Sequence, residues 1–186
     1  EFKWLCRNAQ NFTIDKEENI WIMIGTSLIR IKLADPDNQK KYFLPQYGIQ
    51  FEPKRIITTN SGDIYFVVLG GGLYRYDKQS DSFIHYSQRS GHLLSNYCYN
   101  VAETNSGELL VTSDKGITFL NPSNENTRFV TLGTNLPITS IADGCGILVC
   151  RNNELFVGGN DGLASFFRED LDQKEKNYSL YFSELY

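Results

Sequence analysis

One spacing constrains this 186-residue chain more than any other feature of it. Four segments align, "EENIWIMIGTSLIRI" from residue 17, "SGDIYFVVLGGGLYRY" from 61, "SGELLVTSDKGITFL" from 106 and "NNELFVGGNDGLASF" from 152. Each holds a polar or glycine turn, a short apolar strand, a turn of small residues and a second strand. The first strand anchors at Ile20, Ile64, Leu109 and Leu155, spaced by 44, 45 and 46 residues. The second anchors at Leu28, Leu73, Ile117 and Leu163, spaced by 45, 44 and 46. Two independent anchors share one period. A chain that repeats short strands every 40–50 residues folds as an array of propeller blades.

Further strands flank each pair. "AQNFTID" (9–15), "PKRIITT" (53–59), "NYCYNVAET" (96–104) and "GCGILVC" (144–150) precede it, and "KKYFL" (40–44), "DSFIHYS" (81–87) and "TRFVTL" (127–132) follow it. "DPDNQ" and "NPSNEN" carry turn chemistry and read as connections. The expected fold is therefore all-β, a partial β-propeller of about four four-stranded antiparallel blades, strands a to d. It spans residues 1–172, and 173–186 is a linker and further strand.

The stretch "VVLGGGLYRYDKQSDSF" (67–83) has the look of a nucleotide loop. A phosphate loop needs Gly-Lys-Ser/Thr opening a helix, and a dinucleotide fingerprint needs a helix facing the pyrophosphate. Here Leu73-Tyr74-Arg75-Tyr76 alternates as a strand. Gly70–Gly72 thus form a b–c turn, matching Gly25–Ser27, Ser113–Gly116 and Gly159–Gly162.

Tyrosine (11) and phenylalanine (12) suit strands, and the net charge of −4 with no Lys/Arg cluster argues against nucleic acid. Apolar runs are too short to span a membrane. No leader pattern opens the chain, and "EFKWLC" reads as mid-strand, so further chain is expected upstream. Cys6, Cys98, Cys145 and Cys150 lack zinc spacing. Cys98 is expected to be a buried small hydrophobe, and Cys145 and Cys150 are candidates for a bridge only in an oxidising compartment. Of two histidines, His85 alternates within a strand and His92 lies in a loop.

Gly62-Asp63-Ile64-Tyr65 and Gly72-Leu73-Tyr74-Arg75-Tyr76-Asp77, recurring at this period, resemble the two-component regulator propeller repeat. "GHLLSNYCYNVAETNSGELLV" (91–111) is similar to that family's inter-blade loop and inner strand. The first repeat keeps Trp21 and Arg30 but has Ser27-Leu28 at the turn, and the third lacks the aromatic and the arginine. The resemblance covers residues 9–167. "EKNYSLYFSELY" (175–186) resembles the first strand of the immunoglobulin-like domain that follows such propellers.

The resemblance implies the periplasmic sensor region of a hybrid two-component system, the ectodomain of a sensor histidine kinase, as found in Bacteroidetes. It implies an oligosaccharide ligand, a homodimeric receptor whose population of states the ligand shifts, and control of polysaccharide-utilisation genes through a kinase part outside this chain. It implies seven blades, so four leave open edges, and pairing with another copy or an incomplete ring is expected.

No catalytic set, metal site or cofactor is expected. Asp15, Glu17, Glu18, Asp63, Glu103 and Glu108 mostly fall at corresponding places in the a–b turns, where they shape the turn. The d–a and b–c loops share one face of a propeller, and loops on a rigid scaffold carry ligands. That face gathers Tyr47, Arg89, His92, Asn96, Tyr97, Asp114, Lys115, Asn160 and Asp161. Flat aromatics and hydrogen-bonding side chains are what sugars need, and an acidic sugar would require Arg89, Lys115 or Arg55. Two other readings compete. One is a scaffold without its own ligand, and the other is a propeller lyase similar to streptogramin lyases, which would cluster histidine and glutamate near the axis around a divalent metal.

Overall fold

The computed structural model describes residues 6–133 and 136–172. Blade 1 is β1 (Asn11–Ile14), β2 (Asn19–Ile24), β3 (Ser27–Lys32) and β4 (Asp35–Phe43). Blade 2 is β5 (Pro53–Thr58), β6 (Ile64–Val68), β7 (Gly72–Asp77) and β8 (Ser82–Tyr86). Blade 3 is β9 (Cys98–Glu103), β10 (Leu109–Ser113), β11 (Gly116–Leu120) and β12 (Thr127–Thr131). Blade 4 is β13 (Ile147–Val149), β14 (Glu154–Gly159) and β15 (Gly162–Phe167). Every sheet is antiparallel with strands in chain order. Four such sheets in series are β-propeller blades, and the chain is all-β. The inner strands β1, β5, β9 and β13 neighbour one another in sequence and line the axis.

Blade 4 has three strands among the described residues, followed by a short 3₁₀ helix at Arg168–Asp172. The immunoglobulin-like strand read at 175–186 lies outside the described residues. A second difference concerns "DPDNQ", which is not a connection. Asp35–Gln39 belong to β4, the outer strand of blade 1. Its pattern is mostly exposed, with Tyr42 buried. An outer edge tolerates Pro36 because that side of the strand owes the sheet no N–H bond.

The strand sequences follow from a core divided between blades. In β6, Ile64, Phe66 and Val68 pack backward on Trp21, Met23 and Leu28 of blade 1. Tyr65 and Val67 pack forward on Val101, Leu109 and Val111 of blade 3. Both faces are covered, so "IYFVV" is buried throughout without polar alternation. A third cluster joins Leu110, Ile117 and Phe119 to Leu155, Val157 and Ala164.

The a–b turns are identical in bonding. The amides of Asp15, Thr59, Thr104 and Cys150 donate to the carbonyls of Asn19, Asp63, Glu108 and Glu154. The αL positions are held by Glu18, Gly62, Gly107 and Asn153, with φ of 60°, 99°, 83° and 69°.

Candidate functional site

The d–a and b–c segments are tied together on one face. Gly72 N–H donates to Asn96 O (3.0 Å), Asp114 N–H to Tyr97 O (3.2 Å) and Asn160 N–H to Ser140 O (3.0 Å). The candidate site lies there, at the b–c turn of blade 2. It is a cavity of about 200 Å³ lined by Gly48–Phe51, Val68, Gly70, Gly71, Tyr74, His85 and Asn96.

Two exposed rings border Gly70. A β-carbon there would stand 3.7 Å from Tyr97 and 4.0 Å from Phe51. Phe51 is 58% exposed and Tyr97 56%. Gly70 adopts φ 76°, so the turn passes between the rings without a side chain. The polar groups are fixed beneath. His85 stacks on Tyr74, centroids 4.4 Å apart at 4°. Its Nε2 lies 2.7 Å from Gly71 O, which requires Nε2–H and leaves Nδ1 to accept. Asn96 Oδ1 accepts from Gln88 N–H at 2.7 Å, which orients the amide and leaves its Nδ2 group to donate. The site therefore offers two exposed rings at Gly70 and, lining the adjoining cavity, a donor and an acceptor.

The nine residues expected at the site divide. Asn96 lines the cavity and Tyr97 flanks it. Asp114 and Lys115 are exposed on the neighbouring turn, joined through Tyr97 O. The other five lie apart. Tyr47 sits on the short 3₁₀ helix Leu44–Tyr47 and packs edge-on to Phe83 at 5.0 Å. Arg89 is exposed in the loop after β8. His92 turns toward Glu125, Nε2 to Oε2 3.5 Å, with Nδ1 2.8 Å from Ser90 Oγ. Asp161 is spent on the turn, accepting from Thr139 N–H (2.8 Å) and Oγ1 (2.6 Å), which hold its carboxyl below the ordinary 3.8. Asn160 Nδ2 donates to Ser140 Oγ at 3.1 Å. Phe51 and His85 also line the cavity, and the sequence did not single them out for this face. The signal for Phe51 was a lone aromatic between Gln50 and Glu52 in a d–a loop.

A larger cavity, about 420 Å³, opens on the opposite face between blades 1 and 2. Its groups are already engaged. Asp15 accepts from the amides of Glu17 and Asn19, from Asn19 Nδ2 and from Trp21 Nε1 (2.8 Å). Burial opposes that charge, but the hydrogen bonds outweigh it and hold the carboxyl below 3.8. Lys78 pairs with Glu17, and Trp21 is buried. These carboxylates shape the turns.

Cys6, Cys98, Cys145 and Cys150 are free thiols. Cys145 and Cys150 bracket β13, and an extended strand holds them too far apart to bridge. Among the described residues no three His, Cys, Asp or Glu side chains are grouped to hold a metal ion, and no helix is long and apolar enough to cross a membrane.

With this geometry in view, the comparisons show the fold. No family model matches the chain, and a search of curated proteins found no match. Among solved structures, the chain is similar to the extracellular domain of a hybrid two-component system from B. thetaiotaomicron. The TM-score is 0.71 at 17% identity, over 89% of this chain and 24% of that one. It is similar to the extracellular domain of a one-component system from the same organism, with TM-score 0.68, 15% identity, and 87% and 22% covered. Virginiamycin B lyase from Staphylococcus aureus gives 0.62 at 15% identity, over 86% and 55%. The chain thus has the propeller fold of bacterial sensor ectodomains and spans about a quarter of the length of those it matches. The same fold, less closely matched, is that of a lyase.

Proposed function

We propose that this chain is part of the periplasmic sensor region of a two-component system and recognises an oligosaccharide at the loop face of blade 2. The observation that carries the reading is the pair of exposed rings, Phe51 and Tyr97, beside Gly70. A sugar ring lays its C–H face on an aromatic flat, and its hydroxyls need a donor and an acceptor nearby. His85 Nδ1 and Asn96 Nδ2 supply them. Beyond Tyr97 the exposed Asp114 and Lys115 extend the surface for a second residue of an oligosaccharide. Occupancy there would stabilise one state of a dimeric receptor and pass through the kinase part to polysaccharide-utilisation genes.

The test is thermal unfolding against neutral and acidic oligosaccharides. A ligand at 100 times its Kd adds about 2.7 kcal/mol of stability. The reading expects a shift for one glycan class, lost in Phe51→Ala and Tyr97→Ala and kept in Tyr47→Phe. No shift with any glycan, or a shift that survives both alanine variants, would refute it. The scaffold reading has its own support in the exposed apolar faces of blades 1 and 4. The lyase reading rests on the fold alone, because His85 and His92 are separately engaged.

A further inference from the structure

The cavity at the b–c turn of blade 2 is polar without being charged. Among the described residues that line it, the polar side chains are Gln50, Tyr74, His85 and Asn96, and none is an acid, a lysine or an arginine. Hydrogen bonds fix what two of them present. His85 Nε2–H is held by Gly71 O at 2.7 Å, so the imidazole shows Nδ1 as a lone pair. Asn96 Oδ1 is taken by Gln88 N–H at 2.7 Å, so this amide shows its Nδ2 donors. A hydroxyl suits either group, because it can both donate and accept. A carboxylate or sulfate has no proton to give. It would set its own lone pairs against His85 Nδ1 and find only amide donors in exchange for its water.

The rim has the same bias. The Glu52 carboxylate reaches the b–c turn of blade 1, its Oε1 4.0 Å from where a Gly25 β-carbon would stand. Asp114 is exposed on the b–c turn of blade 3, beside Lys115. A carboxylate thus flanks the cavity on each side, with one lysine to offset the two, and such a field repels an anion. Arg55, Arg89 and Lys115, the cations an acidic sugar would require, are not among the residues that line the cavity. At about 200 Å³ the cavity is smaller than the roughly 300–1,000 Å³ that drug-sized ligands occupy, so it seats one ring of a glycan and makes its choice there.

We propose that this site selects neutral sugars: the ring it seats is uncharged, and a uronic acid or a sulfated ring is excluded. The proposal rests on the oligosaccharide reading above and narrows it to one ligand class. The ring lays its C–H face on an exposed aromatic, and its hydroxyls donate to His85 Nδ1 and accept from Asn96 Nδ2. Gln50, exposed in the lining, is the position at which a cation would change the choice.

The test is isothermal titration calorimetry of this chain at neutral pH with matched panels. One panel holds gluco-, galacto- and manno-oligosaccharides, and the other holds the same chains oxidised to uronates at C6. The expected result is binding of a neutral glycan, with its oxidised form at least tenfold weaker. Gln50→Arg narrows that ratio at least tenfold and leaves the melting of the free protein unchanged, because the residue is exposed. An oxidised glycan that binds as tightly as its neutral parent, and is lost in Phe51→Ala, would leave the oligosaccharide reading standing and overturn the proposal. A ratio unmoved by Gln50→Arg would also overturn it, because charge would then not be what the cavity selects. If no glycan of either panel binds, the oligosaccharide reading itself fails and the proposal falls with it.

Discussion

Asp81, in the c–d turn of blade 2, ties two blades together, and its replacement is the sharpest test of the inter-blade account. Its Oδ1 accepts from Tyr42 Oη of blade 1 at 2.8 Å and from Tyr76 Oη at 2.7 Å, and it pairs with Lys40. Tyr42 is fully buried, so without Asp81 its hydroxyl keeps only Tyr76, at 3.4 Å. A hydrogen bond to a charged group contributes about 1.5–3 kcal/mol. The Asp81 side chain is 38% exposed, so the low end applies and the Lys40 pair adds little. Alanine at φ 51° adds strain of about 1 kcal/mol that aspartate bears more easily. Asp81→Ala should cost about 3 kcal/mol, or about 6–12 °C in Tm. Asp81→Asn keeps one acceptor oxygen and the αL tolerance and should cost about 1 kcal/mol. Glu125 is the internal control. It occupies the equivalent αL position, but Tyr86 Oη lies 3.5 Å away, so Glu125→Ala should cost under about 1 kcal/mol. Acid adds a further signature. Burial raises the Asp81 pKa, but Lys40, Tyr76 and Tyr42 outweigh it and bring it to about 2. A carboxyl lowered on folding stabilises above its unfolded value and loses that stabilisation as pH falls through the folded one. The gap between wild type and Asp81→Asn should therefore close between about pH 4 and pH 2. Urea unfolding at pH 7, 4, 3 and 2 reads both effects. Equal losses in Asp81→Ala and Glu125→Ala, or a gap that persists at pH 2, would refute the argument.

Three other outcomes follow from packing. Leu73→Ala should cost about 2–5 kcal/mol in urea unfolding while Leu163→Ala, at the equivalent exposed position, costs under about 0.5 kcal/mol. Gly116→Ala should destabilise by on the order of 3–4 kcal/mol, because φ is 143° and a β-carbon would stand 2.1 Å from Val130 O. Cys98 is fully buried, and burial pushes its thiol up to about 12, so a thiol reagent should titrate it only in denaturant while Cys145 reacts in the native state.

Much of the blade pattern was legible because the same face is buried at every turn of the repeat. Leu28, Leu73, Ile117 and Leu163 mark one position whether or not a neighbour covers it. The outer strand β4 was legible only in its second half, read as a strand at 40–44, and not at Asp35–Gln39. It buries one side chain within its span, so nothing in "DPDNQKKYF" alternates, and Pro36 and Asp37 read as a turn. The placement of Asn96 and Tyr97 on the loop face beside the cavity could be read from their loop. Phe51 could not be told from the start of an inner strand, and His85 gave only the alternation of β8. Tyr47 and Tyr97 look alike in sequence, but a 3₁₀ turn folds Tyr47 onto Phe83, whereas Gly70 leaves Tyr97 open.

A repeat protein carries its own controls, and these separate scaffold from site. Where four units place different residues in one bonding pattern, the pattern is scaffold. Asp15, Thr59, Thr104 and Cys150 make the same backbone turn, so the carboxylate of Asp15 is one way among several of filling it. The d–a loops behave otherwise. Ile49, Leu93 and Ile138 hold a common buried position, and beyond each the chain diverges: Gln50-Phe51, Ser95-Asn96-Tyr97 and Thr139-Ser140. In the third of these, Thr139 and Ser140 spend their polar groups on Asp161 and Asn160 and close the turn on itself. In the first two, aromatic rings stand clear of the scaffold beside a glycine that has no side chain to cover them. The fold buries many of its aromatics between blades, and Phe51 and Tyr97 stand exposed at one shared turn, which is the observation on which the proposed oligosaccharide site rests.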